Sequence, residues 1–268
     1  MPPIIALLTD FGTRDHYAGA LKGAILSVAP GAQVVDVTHE VPPHDVEAGA
    51  FALGAACPAF PAGTVFVAVV DPGVGSSRRG LAVEAGPHRF VGPDNGLLTA
   101  PLEGHPGARV HALADHRFWR HEVSATFHAR DVFGPVAAHL ALGVPIDALG
   151  PAVADAHRLP LASARALAGG EWEGTVIHVD RFGNLTTSIT TRILDGIVAA
   201  GGGDPTRVVV LMGGIAAPLV TAYSDVPAGA PCALVGSSGR LELAVNGGSA
   251  ATLPGAARGA SVRVRRVT

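Results

Sequence analysis

The sequence predicts a two-part α/β protein, with an N-terminal domain on a mainly parallel sheet followed by a small C-terminal β-barrel. Three observations carry that prediction. Across residues 1–160, short apolar runs alternate with helical patterns, as βαβ units require. One run, Val65–Val70, is apolar throughout, which suits a strand buried on both faces. From Trp172 the pattern changes to short strands separated by Gly/Pro turns, with a single helical stretch.

In order, Ile4–Leu8 reads as a strand, and Tyr17–Val28 has helical apolar spacing that stops before Pro30. Gln33–Val37 is a second strand and Val46–Ala56 a second helix. After Val65–Val70, the segments Leu81–Glu84 and Arg89–Gly92 form a hairpin turned at Gly86–Pro87, and Asp131–Leu142 is helical. Pro151–Gly170 is rich in Pro and Ala and lacks strand alternation. It marks a boundary, with residues 161–170 as linker and 171–268 as the second domain. There, Val176–Asp180, Val208–Met212, Cys232–Val235, Leu241–Val245 and Val262–Val267 are strands, and Thr191–Ala200 is the helix.

Composition narrows the class. The chain has 268 residues, 48% hydrophobic and 15% charged, so it can bury a large core and is not disordered. A net charge of −3 without a basic run argues against a nucleic-acid partner. The start, MPPIIALLTDFG, has no basic region and its apolar stretch stops at Asp10; it reads as a buried strand, not a signal peptide. No apolar run approaches the roughly 18–20 residues of a membrane span. Cys57 and Cys232 are too few and too far apart for a disulfide framework or a zinc site, and a reducing cytoplasm fits best.

Three polar loops concentrate the chemistry: LTDFGTRD, VDPGVGSSR and TFHARD. Each follows a strand or precedes a helix, where an open parallel sheet gathers its ligand groups. The first places Asp10 at a strand end and Asp15 at a helix start, with Gly12 permitting a tight turn. A strand-end carboxylate suits ribose hydroxyls because it can accept two hydrogen bonds; alternatively, Asp10 and Asp15 cap the turn and the helix. The second loop begins with Asp71 and lacks the Gly-Lys-Ser/Thr end of a phosphate-binding loop. Asp71 and Arg78 are seven positions apart on a chain that can fold back, so a structural ion pair is the competing explanation. In the third, His128 could be a general base, a ligand or a helix-start residue; it is one of twelve histidines. Gly92-Pro93-Asp94-Asn95-Gly96 is a strong turn signature, and turn formation suffices to explain it.

No HExxH, His-x-His pair or compact acidic cluster is present, so no metal is expected; nor is there a G-x-S-x-G elbow for a serine hydrolase. In the C-terminal half, Asp180-Arg181-Phe182-Gly183-Asn184 combines a carboxylate, a ring that can stack on a base and an amide that can pair with an adenine edge. Ser237-Ser238-Gly239-Arg240 and Asn246-Gly247-Gly248-Ser249 supply small residues and exposed backbone; alone they are ordinary turns.

Together, TDFGTxD, VDPGVGxxR, GPDNG, TFHxRD, DxFGN and SSGxLELAVN, in this order from Leu8 to Ser249, resemble the S-adenosyl-L-methionine hydroxide adenosyltransferase family, relatives of fluorinase and chlorinase. The resemblance implies an α/β domain joined to a β-barrel, and a trimer whose sites lie between one subunit's N-terminal domain and its neighbour's C-terminal domain. It implies hydrolysis of S-adenosyl-L-methionine to adenosine and L-methionine, with these as the only partners and no cofactor. Asp10 would hold the ribose hydroxyls. Asp15 and Asp180, helped by Ser237 and Ser238, would meet the methionine ammonium. Phe182, Asn184 and backbone near Gly247 would meet the adenine, with Tyr223 stacking on it. Asp71, Arg78 and His128 match the family's water-handling triad, in which His128 would accept the water's proton or orient it. His44 is a departure, since it stands where the halogenating relatives place an aromatic residue over the sugar.

Within that family, Asp71 favours water over halide: the halogenating relatives carry an aromatic hydroxyl in its loop. An ionised carboxylate about 4 Å from a halide repels it by about 4 kcal/mol at an effective dielectric near 20, roughly a thousandfold in occupancy. A halide-using adenosyltransferase and a non-catalytic protein that binds adenosine or S-adenosyl-L-methionine are the competing expectations.

Overall fold

The computed structural model describes residues 2–200 and 202–267. The chain divides into two compact units, Met1–Leu159 and Pro160–Thr268.

The first unit is built on a six-stranded sheet. Its elements are β1 (Ile4–Thr9), α1 (Tyr17–Val28), β2 (Gln33–Thr38), α2 (Val46–Ala56), β3 (Val65–Val69), β4 (Gly80–Ala85), β5 (His88–Pro93), α3 (Thr99–Gly104), β6 (Arg109–Ala112) and α4 (Gly134–Ala141). The strand order is β2-β1-β3-β5-β4-β6. The pairings β1–β2, β1–β3 and β3–β5 are parallel, while β4 runs antiparallel to both β5 and β6. Alternation sorts the side chains into two cores. Ile5, Leu7, Val65, Val67 and Val69 pack with Leu21, Ile25, Phe133 and Val136 on one face. Ala6, Leu8, Phe66, Ala68 and Val70 pack with Leu53, Leu97 and Leu98 on the other. Every residue of β3 is buried, so a strand covered on both sides is why this run reads as apolar without a period.

The order β2-β1-β3 reverses at β1, whose two parallel neighbours are reached in opposite directions. Such a switch point opens a crevice beyond the carboxyl ends of the strands. Thr9 at the end of β1 pairs with Val69 at the end of β3, so Asp10 and Asp71 leave the sheet from adjacent strands on the same edge.

The second unit is an antiparallel, barrel-like sheet. It comprises β7 (Arg165–Ala166), β8 (Trp172–Val179), β9 (Leu185–Thr190), α5 (Thr191–Ala200), β10 (Val208–Met212), β11 (Ile215–Pro218), β12 (Pro231–Val235), β13 (Arg240–Val245) and β14 (Ser261–Arg266). The order is β11-β10-β14-β8-β9-β13-β12, with β7 beside β8. A bridge between Leu219 and Ala233 joins its two ends, nearly closing the barrel.

The sequence reading missed α3, β6, β9 and β11, and the two-residue β7 inside the expected linker. The first four are only four to six residues long. The strand β9, LTTSIT, looks polar, yet Thr186, Thr187 and Ser188 are all buried. Neighbouring strands satisfy two of these hydroxyls: Thr187 Oγ1 donates to the Leu241 carbonyl at 2.9 Å, and Ser188 Oγ accepts from Thr175 N–H at 3.0 Å. The helix expected at Asp131–Leu142 starts instead as a π-helical turn, Ala129–Phe133, before α4.

Candidate active site

The turn after β1 carries Asp10 to the carboxyl edge. Gly12 has φ +66°, and its N–H donates to the His39 carbonyl at 2.7 Å, which closes the turn. Asp10 Oδ2 accepts from the backbone N–H of His44 at 2.9 Å, so the carboxylate is tied to a remote loop and does not merely cap its own. His44 has φ +66°, the only non-glycine residue with positive φ among the described residues. Asp15 is exposed and does not cap α1, whose N-cap is His16 without a side-chain hydrogen bond. Phe11, Tyr17 and Phe127 stack edge-on or tilted, with centroids 5.2 to 6.0 Å apart, so the first loop is packed against the third.

The second and third loops meet through Asp71, Arg78 and His128. Arg78 Nε donates to both Asp71 oxygens at 2.9 Å, and Arg78 Nη2 lies 2.9 Å from His128 Nδ1. Both ion-pair side chains are nearly enclosed, Asp71 at 5% and Arg78 at 12% exposure. The guanidinium carbon sits 5.2 Å from the centre of the Phe133 ring, supplied by the π-helical turn. Gly75 permits the approach. It has φ +79°, and a Cβ there would lie 2.4 Å from the Ala125 carbonyl oxygen, three residues before His128.

This geometry fixes the tautomer. A guanidinium only donates, so His128 Nδ1 must accept, and the neutral ring carries its proton on Nε2. Burial first, and the Arg78 charge second, hold the His128 imidazole below its ordinary range, against the upward pull of Asp71 and Asp131. Asp71 therefore grips the guanidinium, not the imidazole. The pair is close to neutral, which removes the premise that a lone Asp71 charge repels halide.

Other motif residues hold the frame. Asp131 is fully buried, accepting from Ser124 N–H at 2.9 Å and from Arg130 at 2.7 and 2.8 Å. The GPDNG segment does more than turn. Asn95 Nδ2 donates to the Val70 carbonyl at 2.8 Å, while Asp94 accepts from Arg79 Nε at 2.8 Å and from His157 N–H at 2.7 Å.

In the second unit, Asp180 organises the DRFGN loop. Its Oδ1 accepts from Phe182 N–H at 2.9 Å and Asn184 N–H at 2.8 Å, and its Oδ2 from Asn184 Nδ2 at 3.1 Å. The Phe182 ring is left 75% exposed, far more than a core ring would be. Tyr223 donates its hydroxyl to Glu242 Oε1 at 2.7 Å, and this bond, with burial, pushes its own ionisation up to about 12. Burial raises Glu242, and the Asp180 charge adds to that, against the hydrogen bond from Tyr223. The Tyr223 and Asp180 segments thus both act on Glu242, a residue the sequence reading did not single out; a carboxylate at a strand position between apolar neighbours was the available signal. Ser237 and Ser238 lie in the β12–β13 turn, closed by Gly239 N–H to the Gly236 carbonyl at 3.0 Å. Gly247 has φ +69° in the turn after β13.

Comparison with known proteins extends this picture. Residues 5–150 match the SAM hydroxide adenosyltransferase N-terminal domain and residues 174–263 its C-terminal domain. An (R)-S-adenosyl-L-methionine hydrolase of Thermus thermophilus is 43% identical, covering 97% of this chain and 98% of the relative. A fluorinase of an Actinoplanes species is 31% identical over 91% of each. A solved structure of an uncharacterized conserved protein from Thermotoga maritima superposes with a TM-score of 0.91 at 34% identity, covering 98% of this chain and all of that one. The chain belongs to the SAM hydroxide adenosyltransferase family.

Proposed function

We propose that the protein hydrolyses S-adenosyl-L-methionine to adenosine and L-methionine by attack of water at the ribose 5′ carbon. The observation that carries this reading is the contact chain Asp71–Arg78–His128 at the sheet edge from which Asp10 also emerges. The named hydrolase at 43% identity supports the same reaction, and its name points to the (R) configuration at sulfur.

The water oxygen forms a bond to C5′ while the C5′–S bond breaks. The bonding pair goes to sulfur, which leaves as the neutral thioether of methionine, so no general acid and no cofactor are needed. Of the two roles open to His128, orientation fits the tautomer. Nε2–H can donate to the water oxygen and hold one of its lone pairs toward carbon, whereas Nδ1 is engaged by Arg78. The attacking oxygen loses its proton to solvent as the bond to carbon completes. Arg78 fixes the ring, and Asp71 fixes Arg78.

For the substrate, Asp10 binds the ribose diol and Asp15 the methionine ammonium. In the second unit, Asp180, Ser237 and Ser238 serve the ammonium, while Phe182, Asn184, Tyr223 and the backbone at Gly247 enclose the adenine. These two sets act together in a homotrimer, each site drawing its second set from a neighbouring copy.

The selection of water over halide does not rest on Asp71 repelling an anion, because Arg78 neutralises it. It rests on a polar, charged triad suited to a dipolar nucleophile. The test is to incubate the protein with each sulfonium epimer, with and without chloride or fluoride, and separate the products. Adenosine and methionine from the (R) epimer, unaffected by halide, support the reading. A 5′-halo-adenosine would establish the halide-using alternative, and retention of ligand without turnover the binding-protein one.

A further inference from the structure

A second polar chain, buried at its Thr9 and His39 end, flanks Asp10 and is formed by residues with no part in the reaction above. Thr9, the last residue of β1, is fully buried, and its Oγ1 lies 2.8 Å from His39 Nδ1. His39, 4% exposed, places Nε2 3.0 Å from Asp36 Oδ1 on β2. Asp36 Oδ2 accepts from Lys22 Nζ on α1 at 2.6 Å. Thr9 Oγ1 also accepts from the Phe11 N–H at 3.2 Å.

Proton bookkeeping orients the chain. His39 Nε2 faces a carboxylate and donates, so in the neutral ring Nδ1 accepts the Thr9 hydroxyl proton. The Thr9 oxygen is then free to receive the Phe11 amide. Every buried group is satisfied in this one arrangement. The order Thr-His-Asp is that of an activated nucleophile, but the Thr9 hydroxyl is inaccessible, so no substrate reaches it.

The chain ends on both sides of Asp10. It contacts Thr9 and Phe11 directly, and the His39 carbonyl receives the Gly12 N–H at 2.7 Å. The same segment returns with Val41 N–H to the Thr9 carbonyl at 3.4 Å and His44 N–H to Asp10 Oδ2 at 2.9 Å. The β1–β2 ladder loses its register between Leu7 and Leu8, so side-chain bonds take over where strand pairing falters. His44 adopts a left-handed conformation that a non-glycine residue holds only when its surroundings impose it, and here it aims an amide at Asp10.

We propose that Thr9, His39 and Asp36 are positioning residues that aim the Asp10 carboxylate at a ribose diol. Through them, the site distinguishes ribonucleosides from their deoxy analogues. The inference rests on the adenosyl reading above. Two hydroxyls in fixed geometry demand a carboxylate held at a fixed angle; the relay grips the backbone on either side of it, and the segment that follows His39 holds one of its oxygens through the His44 N–H.

The test measures binding of adenosine and of 2′,3′-dideoxyadenosine to the full chain by calorimetry. Thr9→Val keeps the side-chain shape and removes the hydroxyl; Thr9→Ser keeps the hydroxyl. The expected result for Thr9→Val is adenosine binding weakened about tenfold, equivalent to about 1.4 kcal/mol, with dideoxyadenosine changed less than about twofold. Thr9→Ser retains the wild-type preference. Equal weakening of both ligands, or an unchanged preference in folded Thr9→Val, overturns the proposal. If Thr9→Val does not fold, Asp36→Asn on the more exposed end of the relay replaces it, with a loss of preference of about threefold expected and an unchanged preference overturning the idea. Failure of the wild-type protein to bind either nucleoside would instead sink the adenosyl reading, and the proposal with it.

Discussion

At His128 the structure narrows a choice that residue identity leaves open. A histidine in a polar loop can be a base, a ligand or a cap, and only the Arg78 contact at 2.9 Å selects a donor at Nε2. His128→Ala should therefore lower kcat by roughly 10²–10³, the scale of losing one preorganised hydrogen-bond donor, while KM moves little. Steady-state kinetics reading an unchanged kcat would remove His128 from the mechanism. The pH dependence follows from the direction of its shift. In the proposed mechanism neutral His128 is the working form, and burial with the Arg78 charge holds its imidazole below the ordinary range, so the acid limb of kcat lies below that of a free imidazole. The stability sign runs the same way. As pH falls through the unfolded-state value, the unfolded chain takes up a proton that the folded site resists, so stability declines between that value and the lower folded one. A kcat profile whose acid limb lies above pH 7 would contradict this. The sequence made Asp71, Arg78 and His128 visible as polar residues in two motif loops, but not their order of contact, which depends on atoms brought together across fifty positions.

Among the elements, the VDPGVG loop shows what a short motif can and cannot reveal. Its glycines announce a tight turn, yet the need for Gly75 comes from the Ala125 carbonyl of another loop. Gly75→Ala combines a positive φ with a contact closer than atoms tolerate, so it should destabilise the fold by about 1–3 kcal/mol and reduce kcat by displacing the His128 loop. Thermal unfolding and turnover unchanged from wild type would show that the loops are not coupled there. The regular elements α1, α2, α5 and β10 were legible to the residue because their periodicity and flanking Gly or Pro agree. The strand β9 was not, since its threonines and serine are buried by partners that only the sheet supplies. Likewise, His39 and Thr9 look like ordinary strand-end residues until β1 and β2 are laid side by side.

On the scale of the whole molecule, the order of motifs identifies the family although no single motif does, because each loop alone had a structural explanation. The two units carry different parts of the proposed site, which leads to a complementation experiment. Asp71→Asn and Asp180→Ala chains should each be nearly inactive. Co-refolded in equal amounts, they should recover roughly a quarter of wild-type activity, if each site of a trimer combines the first unit of one copy with the second unit of the next. Sedimentation should give a trimer, and absence of recovery in mixed trimers would place both sets within a single chain. The most direct test of the central claim follows the oxygen. When the protein turns over S-adenosyl-L-methionine in water enriched in the heavy oxygen isotope, attack by water at carbon predicts one solvent oxygen in the adenosine 5′-hydroxyl, labelled to the enrichment of the water, and none in methionine. Adenosine formed without the label would contradict it.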